Sequence, residues 1–394
     1  MTMWNLKTCF FCIAISFFLL SCSERSRVAP PADFRTIFLN HPTEKMPCPD
    51  AREIDSLADH FRRMGKAGAF AETLSDSFSV SYVTGFRTPD VFRQDTLYPL
   101  VIYLHGGTGT TLNSKGEKAF EMLLPLADSM QLFLASPSAN RNSPWWSPSG
   151  LFRILQTLKL MTLYYPIDPD KVFLAGVSDG AAGCWAAANA ISAPFAGFIA
   201  VSGYGGIVQS AGMQLFPQNI MQRPFYNVNA GKDHLYPIAT VNRFLDYMEQ
   251  NGVNLIRKEY PEEKHGFDYK MQEMGTICQL LRTWSRPESR SFSWYFVPGY
   301  PNLPVNVISW EPVNGKVNSN ISGFQRADTF FINSVDIQSV VLRCPSLKRA
   351  VIKSGNRPPR QMEQIKPDRK LLIQSIRSSC FPVLDTGNLF KLNP

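Results

Sequence analysis

The chain contains 394 residues, of which 44% are hydrophobic and 18% are charged. This composition is typical of globular proteins and excludes wholesale disorder. The net charge of +8 lies entirely in residues 286–394, which hold 15 Lys and Arg against 7 Asp and Glu. A nucleic-acid-binding protein usually carries its positive charge on the working domain, and the large N-terminal part is neutral, so we predict no nucleic-acid partner.

Residues 1–22 have the pattern of an export signal. Lys7 supplies a short positive region, and Cys9–Leu20 is an apolar run too short to span a bilayer comfortably. The run ends in LLSC at Cys22, which resembles the bacterial lipobox that is cleaved before a diacylated cysteine. We therefore predict lipidation of Cys22 and an exported protein anchored to a bacterial membrane, periplasmic or at the cell surface. Secretion with an unmodified Cys22 and an uncleaved anchor are the alternatives. Residues 23–50 are predicted to be a tether.

The cysteines argue against a metal or redox centre. Of the eight, Cys9 and Cys12 would leave with the signal and Cys22 would carry lipid. The remaining five are Cys48, Cys184, Cys278, Cys344 and Cys380. An odd number cannot all pair, and Cys344 with Cys380 is the favoured disulfide because both lie in the basic C-terminal region. No C-x-x-C spacing remains, so we predict no zinc or redox site. The chemistry predicted below needs no metal and no organic cofactor, and we predict neither.

Residues 51–287 alternate between helix-like and strand-like segments. A helix is predicted at Asp50–Met64, and Phe78–Val83 alternates as a strand does. Continuous apolar runs then predict buried strands at Leu100–Leu104, Leu132–Ala135, Val172–Ala175, Phe198–Val201, Tyr226–Asn229 and Asn254–Tyr260. The clearest helix is Pro237–Asn251, which has one apolar face and ends at a glycine. This order predicts an α/β fold with a doubly wound, mostly parallel sheet.

The helical period disappears after about residue 287. Short strand candidates separated by turn signals occur at Ser291–Val297, Thr329–Ile332, Val340–Arg343, Ala350–Lys353 and Leu371–Ile376. We therefore predict a separate, small, β-rich C-terminal domain over residues 288–394.

A nucleophile motif follows the strand Val172–Ala175. Gly176-Val177-Ser178-Asp179-Gly180 leads into a helix of small residues. A Gly-x-Ser-x-Gly turn between a strand and a helix presents the serine hydroxyl at the end of the sheet, and the glycines are needed because the turn is too tight for a Cβ. Ser178 is therefore the predicted nucleophile, and an ordinary strand–helix turn is the alternative.

A second motif follows the strand Leu100–Leu104, which ends in His105-Gly106-Gly107-Thr108. Glycines at such a place allow backbone N–H groups to approach a substrate oxygen. One N–H from Gly106, Gly107 or Thr108, together with that of Asp179, is predicted to form an oxyanion hole. For His105 itself we favour a role in holding this loop.

The general base follows from the order of the residues along the chain. In α/β hydrolases the acid and then the histidine come after the serine, which leaves His234 and His265 of the five histidines. His265 comes just after the strand Asn254–Tyr260 and is the preferred base. His234 directly follows an aspartate and comes before that strand, which is too early in the chain. Asp233, near the end of the strand Tyr226–Asn229, is the predicted acid. Two other aspartates are less favoured as the acid: Asp246 lies within a predicted helix, and Asp268 is too near His265 in sequence.

Several motifs together resemble the α/β-hydrolase superfamily: YPLVIYLHGG, SPWWSPSG, YYPIDPDKVFLAGVSDGAAG, PFAGFIAVSG, NAGKDHLYP and EEKHGF. The closer similarity is to exported bacterial esterases of the feruloyl-esterase and polyhydroxyalkanoate-depolymerase type, including phospholipase/carboxylesterase relatives. It covers roughly residues 78–285. Ala181 stands where relatives often have a second glycine. The resemblance implies a serine esterase and leaves the ester undefined.

The substrate is less well indicated. Trp145 and Trp146 lie in a loop after the strand Leu132–Ala135, where they could stack on a sugar ring or an aromatic acyl group, or pack in the core. Residues 348–370 hold 8 Lys and Arg against 2 Asp and Glu, either as a solvated face or as a contact for acidic glycans or anionic lipid.

We predict a serine esterase acting through an acyl-enzyme on an ester substrate, with acyl or feruloyl esters on polysaccharides as one option. A peptidase of the same fold and a catalytically inactive surface lipoprotein that binds a glycan or protein are the alternatives.

Overall fold

The computed structural model describes residues 65–76, 78–286, 291–303, 307–313, 318–344, 347–365 and 388–392. The predicted signal peptide 1–22, the lipidated Cys22, the tether 23–50 and the helix Asp50–Met64 lie outside these residues. The same is true of Cys380 and the strand Leu371–Ile376. These features stay predictions.

One large sheet organises the N-terminal part. Its strands, numbered along the chain, are β1 (Gly68–Ser75), β2 (Ser81–Thr88), β3 (Tyr98–Leu104), β4 (Phe133–Pro137), β5 (Ile167–Val177), β6 (Gly197–Val201), β7 (Phe225–Ala230) and β8 (Leu255–Tyr260). They are arranged in the order β1-β2-β4-β3-β5-β6-β7-β8. The six strands from β3 to β8 run parallel, whereas β1 and β2 are antiparallel to their neighbours. The predicted mostly parallel α/β sheet is confirmed.

Helices connect the parallel strands and cover both faces of the sheet. They are α1 (Leu124–Met130), α2 (Pro148–Tyr164), α3 (Asp179–Ala190), α4 (Gly206–Ser210), α5 (Pro217–Ile220), α6 (Ile238–Gln250) and α7 (Tyr269–Thr283). Short 3₁₀ turns at Lys115–Glu117 and Ala119–Leu123 precede α1. The start of α2 shows the usual chemistry: the Ser147 hydroxyl accepts the N–H of Gly150 at 3.0 Å, and Pro148 supplies a first helical position that needs no hydrogen bond.

Strand β3 shows how the core is divided. Leu100, Ile102 and Leu104 belong to a cluster that includes apolar residues of α2, α3 and α6. Val101 and Tyr103 belong to a second cluster, with residues of α1 and α7. Both faces of β3 are therefore covered, which explains why its sequence is apolar throughout rather than alternating.

The C-terminal part is β-rich, as predicted. Its strands are β9 (Ser291–Tyr295), β10 (Val307–Pro312), β11 (Asn320–Arg326), β12 (Thr329–Val335), β13 (Ile337–Cys344), β14 (Arg349–Ser354), β15 (Arg360–Glu363) and β16 (Asn388–Leu392). They form a five-stranded sheet, β15-β14-β12-β11-β9, and a three-stranded sheet, β10-β13-β16. The five-stranded sheet buries one face, with Phe292, Trp294, Ile321, Phe330 and Ile332 in its core.

The C-terminal part packs against the larger sheet's helical layer. The Asn219 side chain accepts the N–H of Tyr295 at 2.8 Å and donates to the carbonyl of the same residue at 2.9 Å. The Phe216 and Tyr295 rings stack at 5.0 Å. Leu303 exchanges backbone hydrogen bonds with Ala190 and Ala193. The domain boundary near residue 288 stays a prediction.

The beginning of the sheet differs from the sequence-based expectation. Strand β2 begins at Ser81, not at Phe78, and β1 pairs with it although no strand was predicted there. The segment from Asp76 to Val80 turns instead, with Ser79 at a φ of 62° and the Phe78 side chain exposed. Strand β1 lies at the sheet edge with half of its residues exposed, so its apolar residues are too few to mark it.

In the part of the chain that the structure describes, no helix combines the length and the apolar character needed to cross a bilayer.

A buried ion pair fixes the turn between Asp76 and Val80 to α2. The Asp76 carboxylate accepts the N–H groups of Phe78 and Val80 and also bonds to the Ser149 hydroxyl and the Arg153 guanidinium. The side chains of Asp76 and Arg153 are both fully buried. Burial alone would raise the pKa of Asp76, but the hydrogen bonds from Ser149, Arg153, Val80 and Phe78 together lower it below 3.8.

We expect Asp76→Asn to destabilise the protein by about 3–5 kcal/mol, because it leaves the buried Arg153 cation without its anion. Unfolding in guanidinium chloride would measure this. Because the pKa of Asp76 is lowered on folding, the ionised carboxylate stabilises the protein at pH values above 3.8. This stabilisation is lost as the pH falls through the folded-state pKa of Asp76. Asp95→Asn, which breaks an exposed pair with Arg93, is the matched control and should leave the midpoint unchanged. Equal midpoints for both variants would contradict the assignment.

Candidate active site

Ser178 lies in a strained turn between β5 and α3. Its backbone has φ 55° and ψ −118°, a conformation that is costly for an L-residue and persists only where the surroundings enforce it. A Cβ on Gly176 would lie 2.4 Å from the carbonyl oxygen of Gly180. A Cβ on Gly180 would lie 2.0 Å from the carbonyl oxygen of Leu104. The two glycines of the motif therefore allow α3 to begin directly against β3 and β5.

Three side chains form one hydrogen-bonded chain at the carboxyl end of the sheet. His265 Nε2 lies 3.0 Å from Ser178 Oγ, and His265 Nδ1 lies 2.7 Å from Asp233 Oδ2. Because a carboxylate can only accept, Nδ1 carries the proton and Nε2 is free to accept from the serine hydroxyl. The Asp233 side chain is almost fully buried, whereas that of His265 is 21% exposed. The three residues are those predicted from their order in the sequence.

Backbone hydrogen bonds hold the acid next to the histidine. The turn after β7 bonds to the turn after β8 through Gly231 N–H to the Tyr260 carbonyl and Lys232 N–H to the Glu263 carbonyl. The second carboxylate oxygen of Asp233 accepts the N–H groups of Leu235 and Tyr236 at 2.8 and 2.9 Å. The Asp233 carboxylate is thus held at both oxygens.

The rejected candidates lie elsewhere. Asp246 forms an ion pair with Arg257 on the surface of α6 and β8. Asp268 is exposed and precedes α7, and His234 is also exposed.

His105 holds the loop that follows β3. Its Nδ1 lies 2.9 Å from the Gly106 carbonyl oxygen, and its Nε2 accepts the N–H of Ala139 at 3.0 Å. Burial lowers the pKa of His105 to about 4, so the ring is neutral near pH 7. Both contacts are as expected for a residue that fixes a loop.

Two of the predicted oxyanion donors lie against the nucleophile. A Cβ on Gly106 would lie 3.0 Å from the Cβ of Ser178, so the backbone passes the serine at close range. Asp179 is the first residue of α3, where N–H groups have no partner within the helix and the helix dipole favours negative charge. The N–H groups of Gly106 or Gly107 and of Asp179 remain the candidates.

The assignment of Thr108 is corrected. Its backbone N–H donates to Asp179 Oδ2 at 2.6 Å, and its hydroxyl donates to the same oxygen at 2.8 Å. An N–H that is already bonded to a carboxylate is not available to a substrate oxygen. The sequence did not reveal this contact because Thr108 and Asp179 are 71 positions apart.

The expected substrate contact of Trp145 is also corrected. The Trp145 side chain is fully buried, and its indole N–H donates to the His105 carbonyl at 2.8 Å. Trp145 therefore packs in the core, which was the alternative, and its indole holds the loop at His105. Trp146 is partly buried against the same core cluster, and its contact with substrate stays a prediction.

Tyr236 was missed by the sequence analysis. Its ring packs edge-on against the His265 ring, with centroids 5.2 Å apart, and its hydroxyl donates to Asp179 Oδ1 at 3.4 Å. Burial raises the pKa of Tyr236 to about 12, and a side-chain hydrogen bond with Ser178 opposes that rise. Its position three residues after Asp233, in a turn that folds back on the carboxylate, was the one available signal.

Ala181 fits without displacing the helix. A Cβ on Gly203 would lie 2.8 Å from the Cβ of Ala181, so the room for the alanine is provided by the glycine opposite it.

No group of three or more His, Cys, Asp or Glu side chains suited to a metal ion occurs among the described residues.

Comparison with known proteins gives matches to solved structures only. No protein-family model matches the chain. No curated protein matches it either. A thermostable esterase is 21% identical, with a TM-score of 0.44 over 55% of this chain and 63% of that protein. Esterase 2 of Thermogutta terrifontis is 12% identical, with a TM-score of 0.43 over 56% of this chain and 97% of that one. Fluorophosphonate-binding serine hydrolase F of Staphylococcus aureus is 14% identical, with a TM-score of 0.45 over 55% and 99%. The chain thus spans less than two thirds of the length of the thermostable esterase.

Proposed function

We propose that the protein is a serine hydrolase that cleaves carboxylic esters through an acyl-enzyme. The observation that carries this proposal is the hydrogen-bonded chain from Ser178 through His265 to Asp233, with the backbone of Gly106 passing close to the serine. A serine, a base and an orienting acid at hydrogen-bond distance are the parts that acyl transfer requires.

The geometry supports acylation through a tetrahedral intermediate. Ser178 Oγ attacks the ester carbonyl while His265 Nε2 takes its proton, so the carbonyl oxygen becomes an oxyanion. The N–H groups of Asp179 and of Gly106 or Gly107 stabilise that charge at the start of α3. The imidazolium is stabilised by Asp233 and then protonates the leaving alcohol, which departs and leaves an ester on Ser178.

Deacylation repeats the sequence with water. His265 takes a proton from water as the water attacks the acyl carbonyl, and it returns that proton to Ser178 Oγ when the acid is released. The His265 side chain is 21% exposed, so the base is not sealed from solvent.

The substrate that we infer is an acyl or feruloyl ester carried on a carbohydrate. The partly buried Trp146 and the basic residues of the C-terminal part support this inference, because the former could stack on a ring and the latter could contact an acidic polymer.

We further infer export and attachment to a bacterial membrane through lipid on Cys22, supported by the lipobox-like LLSC. Metabolic labelling with an alkyne fatty acid should mark the wild-type protein and not Cys22→Ala. Equal labelling of the two proteins would refute Cys22 as the acylated residue.

Ser178→Ala should lower kcat for p-nitrophenyl esters by at least about 10⁴-fold, because the nucleophile is lost. The exposed Ser129→Ala is the matched control and should retain wild-type activity. A fluorophosphonate probe should label the wild type and Ser129→Ala but not Ser178→Ala. Activity of Ser178→Ala within tenfold of wild type would overturn the assignment, and a wild type that neither labels nor hydrolyses esters would favour an inactive binding protein.

Asp233→Asn should reduce kcat by about 10⁴-fold, since the amide favours the wrong tautomer of His265. The backbone contacts of Leu235 and Tyr236 to Oδ1 can persist, so the melting temperature should change little. Asp268→Asn, at the other carboxylate near His265 in sequence, is the control. If Asp268→Asn lost the activity and Asp233→Asn kept it, the acid would be misassigned.

Trp146→Ala should lower kcat/KM about tenfold for a feruloyl ester and leave p-nitrophenyl acetate nearly unchanged, because a small acyl group does not reach the ring. The buried Trp145→Ala is the comparison: it should lower the melting temperature and reduce both activities together. Parallel losses on both esters in Trp146→Ala, tracking loss of stability, would remove the support for an aromatic or carbohydrate ester.

A further inference from the structure

The loop Gly106–Thr108 is held at three points around the nucleophile. On the core side, His105 bonds to the Gly106 carbonyl, and Trp145 bonds to the His105 carbonyl. On the solvent side, Lys115 Nζ donates to the Gly107 carbonyl at 2.5 Å. These contacts fix the carbonyl groups of the loop and leave its far end to be fixed by another residue.

Asp179 fixes that far end. Its Oδ2 accepts both the N–H and the hydroxyl of Thr108, at 2.6 and 2.8 Å. The backbone N–H of Asp179 is also one of the two candidate donors to the oxyanion, and the other donor lies on the loop. One residue therefore carries one donor and ties down the segment that carries the other.

Tyr236 holds the second oxygen of the same carboxylate. Its hydroxyl lies 3.4 Å from Asp179 Oδ1, its ring contacts the ring of His265, and its N–H donates to Asp233 Oδ1. The hydroxyl thus connects the turn that carries the acid to the carboxylate that holds the oxyanion loop.

We propose that Asp179 is a positioning residue that sets the spacing between the two oxyanion donors, and that Tyr236 orients its carboxylate for this purpose. The proposal rests on the serine esterase activity proposed above and adds a role for two residues outside the Ser178–His265–Asp233 chain. In this role the Asp179 side chain helps to stabilise the transition state and does not recognise the substrate.

For Asp179, charge alone and positioning predict opposite effects on kcat when the carboxylate is removed. A carboxylate beside a developing oxyanion repels it, so a residue whose charge alone mattered would slow the reaction, and its removal would raise kcat. Positioning predicts that removal lowers kcat, since loss of one aligned oxyanion donor costs about 10²–10³-fold.

Two substitutions at Asp179 separate shape from hydrogen bonding. Asp179→Leu has a similar size and no acceptor, and we expect kcat to fall about 10²-fold with KM within about threefold of wild type. In Asp179→Asn the amide oxygen can accept from Thr108 and the amide NH₂ can donate to the Tyr236 oxygen. Asp179→Asn should therefore recover most of the lost kcat.

Tyr236→Phe keeps the ring against His265 and removes the hydroxyl with its hydrogen bonds to Asp179 and Ser178, so we expect a smaller loss of kcat, about three- to tenfold, again with KM retained. The exposed Glu121→Gln serves as a matched control for loss of an acidic side chain and should behave as wild type. Melting temperatures establish that each variant is folded.

A trifluoromethyl ketone reports on the hole independently of turnover, because its adduct with Ser178 places an oxyanion between the donors. Its inhibition constant should rise in Asp179→Leu by the same factor by which kcat/KM falls.

Three results would overturn the proposal: an unchanged or higher kcat in Asp179→Leu, a loss expressed in KM alone, or an equal loss in Asp179→Asn and Asp179→Leu. In each case an active, fluorophosphonate-labelled wild type would leave the esterase proposal standing. A wild type that neither hydrolyses esters nor takes the label would instead refute the esterase proposal, and this inference with it.

Discussion

The close approach of α3 to β3 and β5 is the constraint on which the site depends. The helix begins one residue after Ser178, and it can do so only because Gly176 and Gly180 leave no Cβ where neighbouring backbone oxygens lie within 2.4 Å. That closeness forces Ser178 into a positive φ and raises its hydroxyl above the sheet edge. It also brings the first N–H groups of the helix to the place where negative charge would develop.

The parallel direction of the central strands then gathers the other groups. Strands β3, β5, β7 and β8 all end at one edge, so the residues that follow them meet although they are far apart in sequence. The turn after β7 supplies Asp233 and the turn after β8 supplies His265, and backbone hydrogen bonds between these turns set their distance. The loop after β3 supplies the glycines. Each group thus depends on a different strand end, and the sheet keeps their relative positions.

Motif order and strand position were sufficient to predict that Ser178, Asp233 and His265 meet at one edge of the sheet, because a strand end can be read from a short apolar run. The same reasoning could not assign Thr108, because its N–H donates to the carboxylate of Asp179, a residue of α3 that is distant in sequence. It could not decide between core packing and substrate contact for Trp145 either. The sequence does not show that the indole N–H reaches the backbone carbonyl of His105. Strand β1 was missed because an exposed edge strand needs few apolar residues, and its pairing with β2 comes mainly from backbone hydrogen bonds.

The contact of the C-terminal sheet with Asn219 joins the appended strands to α3. The buried Asn219 amide donates both to the carbonyl of Asn189, near the end of α3, and to that of Tyr295 in β9. Nearby, the nearly buried Arg223 guanidinium donates to the carbonyls of Ala193 and Phe195. The helix that presents the nucleophile at its first turn is therefore anchored at its last turn to the appended strands. A chain that ended after α7 would lose the bonds of Tyr295 to Asn219 and of Leu303 to Ala190 and Ala193, and this end of α3 would be exposed to water. The appended strands thus cover and bond to the far end of the helix that presents the nucleophile, and we expect their removal to lower the stability of the catalytic part.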